Sequence, residues 1–182
     1  GLAQFLQHLA TRSHPSVLDL SRVWHSTVTL LTEAGCKVYT EDALAALARA
    51  LEKQGQDAPT LAASYLAENL RYPAESFDAI LAWDLLDYLA GELLVPTAER
   101  LGALLKPGGV LLALFHNRLP TTEGVIQYRL LTPQAFASMP SALPLVPQRV
   151  LNNRAILRLF AGFRSARTFV GRDNLREVLL MK

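Results

Sequence analysis

Two runs of apolar residues without alternation stand out along the chain, residues 77–83 (FDAILAW) and 110–115 (VLLALF). Runs this short, bounded by turn residues, predict strands covered on both faces and suit a strand better than a stretch of buried helix. Between them Leu89, Leu93, Leu101, Leu104 and Leu105 recur near helical spacing, and Lys106-Pro107-Gly108-Gly109 turns the chain into the second run. Strand, helix and strand make a βαβ unit, whose crossover is expected to be right-handed.

The patterning extends in both directions. Leu2, Phe5, Leu6 and Leu9 put one apolar face on an opening helix that Pro15 ends. Residues 16–20 (SVLDL) and 36–40 (CKVYT) read as short strands. Between them, residues 27–34 read as a helix with Val28 and Leu31 inward, Ser26 as its cap and Gly35 at its close. Residues 43–53 are strong helix formers, followed by a polar loop over 54–59. Residues 118–152 are rich in proline; within them 123–131 alternate weakly as a strand or hairpin arm, and 133–137 suit a helical turn. A helix over 154–163 precedes two strands, 166–170 and 178–181, whose short Gly171-Arg172-Asp173-Asn174 connection implies an antiparallel hairpin.

Composition narrows the class. With 182 residues, 51% of them apolar, the chain is expected to be one domain (1–182), with 1–15 as an N-terminal helix and 118–152 as an insertion. No apolar stretch is long enough to cross a bilayer and no basic-then-apolar leader opens the chain, so a soluble, cytoplasmic protein without a membrane partner is expected. The single cysteine, Cys36, fits a reducing compartment and reads as a small buried hydrophobe. His8, His14, His25 and His116 are scattered, so no metal site is expected. A net charge of +2 hides an asymmetry: residues 1–110 hold eight basic and thirteen acidic side chains, residues 147–182 eight and two. The basic segment suits an anionic partner such as nucleic acid, but without interleaved aromatics a solvated face is the favoured reading.

The central unit carries a further signal. Phe77-Asp78-x-Ile80, then Leu85-Leu86-Asp87-Tyr88-Leu89, then Leu104-Leu105-Lys106-Pro107-Gly108-Gly109-Val110-Leu111-Leu112 resembles the fourth and fifth strand region of the Rossmann-like S-adenosylmethionine-dependent methyltransferases. The likeness runs from Ser16 to the end of the chain. It implies an α/β three-layer sandwich with a mostly parallel seven-stranded sheet, order 3-2-1-4-5-7-6, an antiparallel last strand, and the edge strand at residues 64–67. It also implies S-adenosylmethionine as cofactor, a small or macromolecular methyl acceptor that the sequence does not name, and a homodimer as a further option.

Carried over residue by residue, the resemblance departs from the family at the donor site. The strand ending in Asp19 leads into the family's Asp-x-Gly-x-Gly-x-Gly turn, but Ser21, Val23 and His25 stand where the glycines would. A β-branched Val23 held at positive φ would be strained by about 1–2 kcal/mol, so the loop must take another path. Trp24 and His25 are each large enough to fill the space of a methionine or adenosine moiety. Three outcomes stay open: a rebuilt loop that binds S-adenosylmethionine, a different ligand, or a sealed site in a catalytically inactive binding or regulatory module.

Asp42, with Glu41 as the fallback, matches the acid that holds the ribose hydroxyls, with a helix cap as its alternative role. Leu66 and Ala67 fall where the family has an adenine-contacting acid and a backbone amide, and the acid is absent unless Glu68 serves. Asp19, Ser21, Glu41, Asp42, Ala67 and Trp83 form the implied cofactor-binding set. Asp84, Asp87, Tyr88, His116 and Asn117 lie at the carboxyl ends of the next two strands and are candidates to orient or deprotonate an acceptor, Asp84 having a helix cap as its alternative. The opening helix and the 118–152 insertion are assigned to an acceptor-site lid, the insertion also to dimer contact.

Overall fold

The computed structural model describes residues 1–52, 57–120, 124–171 and 174–182. The first half of the chain runs α1 (Leu2–Ala10), β1 (Ser16–Asp19), α2 (His25–Glu33), β2 (Lys37–Thr40), α3 (Ala43–Glu52), α4 (Ala58–Glu68) and β3 (Phe77–Trp83). The second half runs α5 (Leu85–Tyr88), α6 (Gly91–Leu104), β4 (Leu105–His116), β5 (Val125–Thr132), β6 (Ala135–Ser141), α7 (Asn153–Leu159), β7 (Ser165–Val170) and β8 (Leu175–Met181). Six strands form one sheet in the order β2-β1-β3-β4-β8-β7, and β5 and β6 pair separately as an antiparallel hairpin. The first four are parallel; β8 runs antiparallel to β4 and to β7.

Strand periodicity explains the layers. Along β3, Ile80 and Ala82 face one side while Ala79, Leu81 and Trp83 face the other; along β4, Leu111, Ala113 and Phe115 oppose Val110, Leu112 and Leu114. The first set packs under α3, α4, α5, α6 and α7, the second under α1, α2 and β5. Every residue of β3 is buried, which is why its sequence shows no alternation.

The amino-terminal rim of the sheet is tied by one carboxylate. Asp78 accepts from Arg12 Nη1 (2.8 Å), Lys106 Nζ (2.7 Å) and the Ser16 amide (2.9 Å), while Arg12 Nη2 donates to the Gly108 carbonyl (2.6 Å). That knot joins the end of α1 to the starts of β1, β3 and β4. The Gly108-Gly109 pair is needed there: Gly108 has φ +71°, and a Cβ on Gly109 would lie 2.9 Å from the Lys106 carbonyl oxygen.

The α/β fold class and the strand order agree with expectation once one element is removed. Residues 64–67 are not an edge strand but lie in α4, whose cap is Asp57, accepting from the Thr60 amide (2.8 Å). Among the described residues the sheet therefore has six of the seven expected strands, with β2 at its rim. Three local expectations are corrected as well. Helix α2 begins at His25 with Trp24 in the cap position, and Ser26 does not cap it; the Ser26 hydroxyl is buried without a partner. Residues 133–137 open into β6 rather than a helical turn, and α7 is shorter than 154–163. Helix α1 lies along the sheet over β4 instead of projecting as a lid. Parts of the 54–59 loop and of the Gly171–Asn174 turn fall outside the described residues. Among the described residues no helix is long and apolar enough to cross a membrane.

Candidate functional site

The carboxyl end of β1 meets the carboxyl end of β3 at Asp19 and Trp83. Asp19, only 1% exposed, accepts through Oδ1 from the Trp83 indole Nε1 (2.6 Å), the Ser21 amide (3.1 Å) and the Ser21 hydroxyl (3.0 Å); its Oδ2 has no partner. Burial pushes its carboxyl up to about 6 against the pull of those three donors, and the Asp42 charge adds to the rise. Trp83 closes β3 with φ +50° and turns its ring onto Tyr128 from β5, stacked at 5.7 Å and 11°, with Phe136 from β6 edge-on at 6.0 Å. The hairpin holding both rings is fastened to α2, where the buried Thr27 hydroxyl accepts from the Leu130 amide (2.9 Å).

The turn after β1 has been rebuilt as expected. Ser21, Val23 and His25 all avoid positive φ, and Val23 is 65% exposed. The Trp24 ring has the Arg22 guanidinium 4.7 Å and the Arg129 guanidinium 5.7 Å from its centre, His25 is exposed on α2, and the indole bonded to Asp19 is that of Trp83. The remaining members of the expected cofactor set are engaged elsewhere. Asp42 Oδ1 caps α3 through the Ala45 amide (3.0 Å). Glu41 Oε2 accepts from the amide of Leu70 (3.0 Å), a residue held at φ +56°, and bonds the Tyr72 hydroxyl, which burial and the Glu41 charge push up to about 12. Ala67 is exposed near the end of α4.

A second cluster sits at the ends of β3 and β4. The single-turn helix α5 buries Asp84 and Asp87 completely beside His116. Asp87 Oδ2 accepts from the His116 amide (2.7 Å) and bonds its Nδ1 (2.9 Å), which fixes the ring and leaves Nε2 free. That Nε2 lies 3.9 Å from Asp84 Oδ2, beyond hydrogen-bond reach. Tyr128 donates its hydroxyl to Asp84 Oδ2 (3.3 Å), whereas Oδ1 of both Asp84 and Asp87 has no partner. Burial raises Asp84 to about 7; the His116 charge opposes the rise and the Asp87 charge adds to it. His116 is itself raised: burial lowers it, but the Asp87 bond and the charges of Asp84 and Asp87 more than offset that.

The helix-cap alternative for Asp84 does not hold, because its side chain makes no capping bond to α5. Tyr88 accepts from the Ile126 amide (3.4 Å), and Asn117 is exposed at the strand end. His116 opens onto a cleft of about 370 Å³ whose other walls include Arg118, Tyr128, Phe136, Ser138 and Asn174. Four of these come from segments without a motif, so only their place in the fold brings them to the site. Among the described residues no group of three or more His, Cys, Asp or Glu side chains is placed to hold a metal ion.

A family model described as a methyltransferase domain matches residues 18–113, more than half of the chain. The chain belongs to that methyltransferase family. Solved structures share its fold at low identity. The 1,6-didemethyltoxoflavin-N1-methyltransferase of Burkholderia thailandensis, determined with 1,6-didemethyltoxoflavin and S-adenosylhomocysteine, is 15% identical with a TM-score of 0.54 over 100% of this chain and 76% of its own. An S-adenosylmethionine-dependent methyltransferase from Mesorhizobium loti gives 14% identity and 0.54 over 100% of both chains. One from Archaeoglobus fulgidus gives 11% and 0.55 over 100% of this chain and 91% of its own. No curated protein matches the sequence.

S-adenosylmethionine is thus the cofactor that this methyltransferase fold implies. Several of the side chains that the resemblance assigns to it are engaged within the protein: the Trp83 indole is bonded to Asp19, and one oxygen each of Asp42 and Glu41 accepts from a backbone amide.

Proposed function

We propose that this methyltransferase-family domain holds its donor site shut, and that the protein in this conformation neither takes up S-adenosylmethionine nor transfers its methyl group. One observation carries the reading: the Trp83 indole is bonded to Asp19 and stacked on Tyr128, so the acid that ends β1 is engaged by the chain's own side chain. The domain then acts as a binding or regulatory module built on the methyltransferase sheet.

A second reading is favoured by the backbone of Trp83. A bulky residue at φ +50° stores on the order of 1–2 kcal/mol, which is released when the strand end relaxes. On this reading the plug is a gate, and opening it restores a donor site for methyl transfer to an acceptor.

Isothermal titration with S-adenosylmethionine and S-adenosylhomocysteine tests the first reading: no heat is expected from the unaltered protein, and saturable heat overturns the proposal. The same titration on Trp83→Ala, checked for folding by circular dichroism, separates the two. Binding by the variant alone makes Trp83 a gate, whereas silence from both proteins makes the closure permanent.

A further inference from the structure

The cleft beside His116 is walled off from the Trp83 plug by Tyr128 and Phe136, so what it binds is a separate matter from the donor site. Its polar lining is made mostly of hydrogen-bond donors. His116 lines it with its Nε2 unbonded, Arg118 is exposed with no carboxylate partner among the described residues, and Asn174 and Ser138 add an amide and a hydroxyl. No carboxylate lines it among the described residues. The remaining wall is apolar, with Leu119, Ile126 and Leu175 beside the Phe136 ring. A volume near 370 Å³ lies at the small end of the range of about 300–1,000 Å³ usual for small-molecule pockets.

We infer that this cleft binds a small organic acid, its carboxylate held between Arg118 and His116 and its apolar body laid against Ile126, Phe136 and Leu175. A guanidinium and an imidazole at a largely apolar hollow select a negatively charged head on a hydrophobic frame; an inorganic anion would leave the apolar wall unused. The charges packed behind His116 permit this. Asp87 of α5 neutralises the imidazolium through its bond to Nδ1, Asp84 of α5 is raised to about 7 and so is largely uncharged below neutrality, and Tyr128 of β5 donates to it. From β8, the Arg176 guanidinium meets His116 at its carbonyl (3.3 Å) and also donates to the Leu151 carbonyl and to Asn153 Oδ1 (2.6 Å). With Asp84 protonated, Arg118 is the one uncompensated charge that the described residues place on the wall. Once Asp84 ionises or His116 loses its proton, that positive character is cancelled, so anion binding weakens as pH rises past neutrality.

Benzoate, benzamide and benzamidine share one shape and differ in charge, which makes them suitable probes. Titrated into the full chain and followed by amide chemical shifts, benzoate is expected to give saturable shifts at Ile126, Ser138 and Asn174. Benzamide and benzamidine should bind about tenfold or more weakly, because each loses the charge-assisted pair. Arg118→Gln, a change at an exposed side chain, should weaken benzoate by a similar factor without altering the melting temperature, and raising the pH from 6 to 9 should do the same in the unaltered protein. Absence of benzoate shifts at tens of millimolar, equal binding of benzamidine, shifts centred elsewhere, or an Arg118→Gln protein that binds benzoate unchanged would each overturn the inference.

Discussion

Replacing the acid that ends β1 by its amide, Asp19→Asn, should make the protein more stable at neutral pH. In the fold the Asp19 carboxyl is raised from 3.8 to about 6 because burial outweighs its three donors. At about 1.4 kcal/mol per unit, the ionised group costs the native state about 3 kcal/mol once the pH exceeds both values. The sign follows from the order of the two values: a folded-state value above the unfolded one means full stability below about pH 4, lost as pH rises through about 6. Asparagine keeps an oxygen for Trp83 and Ser21 and removes the charge, but places an amide N–H₂ where Oδ2 now lies without a partner, a loss of about 1–2 kcal/mol. The net expectation is a gain of about 1–2 kcal/mol near pH 8, or about 2–8 °C in melting temperature for a chain of this size. Below about pH 4 the variant should be the less stable of the two. Paired urea melts of both proteins across this range give the crossover. A variant destabilised by the same margin at every pH would refute the reasoning, because the buried charge would then carry no penalty.

The other predictions concern how the sheet and the hairpin are held. Asp78→Ala should cost about 2–3 kcal/mol, discounted for the partial exposure of Arg12 and Lys106, because it unties α1, β1 and the Gly108 bend together. Burial raises the Asp78 carboxyl, but Lys106, Ser16 and Arg12 together hold it below its ordinary value. Its contribution is therefore present above the unfolded value and lost as pH falls through the folded one, so urea melts should show the variant's deficit shrinking in acid; a deficit constant with pH would count against the knot. Thr27→Val removes the acceptor for the buried Leu130 amide and should cost about 1–3 kcal/mol. Amide exchange at Leu130 should quicken, and an unchanged rate would show that the hairpin is held by packing alone.

The parts of the fold legible in the sequence were those where one local signal sufficed. The β3 and β4 runs are apolar because both faces are covered, and Gly35, at φ +81°, ends α2 where a positive φ is required. The edge strand was misread because it was placed by likeness to a family segment. Residues 58–68 carry their own signal, an Asp57 cap followed by an alanine-rich stretch with Ala62 and Tyr65 on one buried face, and that local preference prevailed. The site was less legible. Asp84, Asp87 and His116 stand out in the sequence, as does Trp83, but its bond to Asp19 does not. Its partners lie 64 residues back, at Asp19, and 45 residues on, at Tyr128; no spacing rule links residues so far apart, and only the meeting of β1, β3 and the hairpin does. Arg176 was counted into a basic surface, yet it is buried and braces the Leu151 and His116 carbonyls.

Losing the outer strand leaves β2 with a flank of peptide groups that no neighbouring strand satisfies among the described residues. Such a flank invites another chain to lengthen the sheet, a route to aggregation. Two traits of β2 oppose it: the strand is four residues long, and it opens with an exposed lysine, Lys37, whose ammonium lies 5.1 Å from the centre of the Tyr39 ring. Brevity and a fixed positive charge make this margin a poor template for strand addition, which lets the fold dispense with a strand without leaving a ready edge.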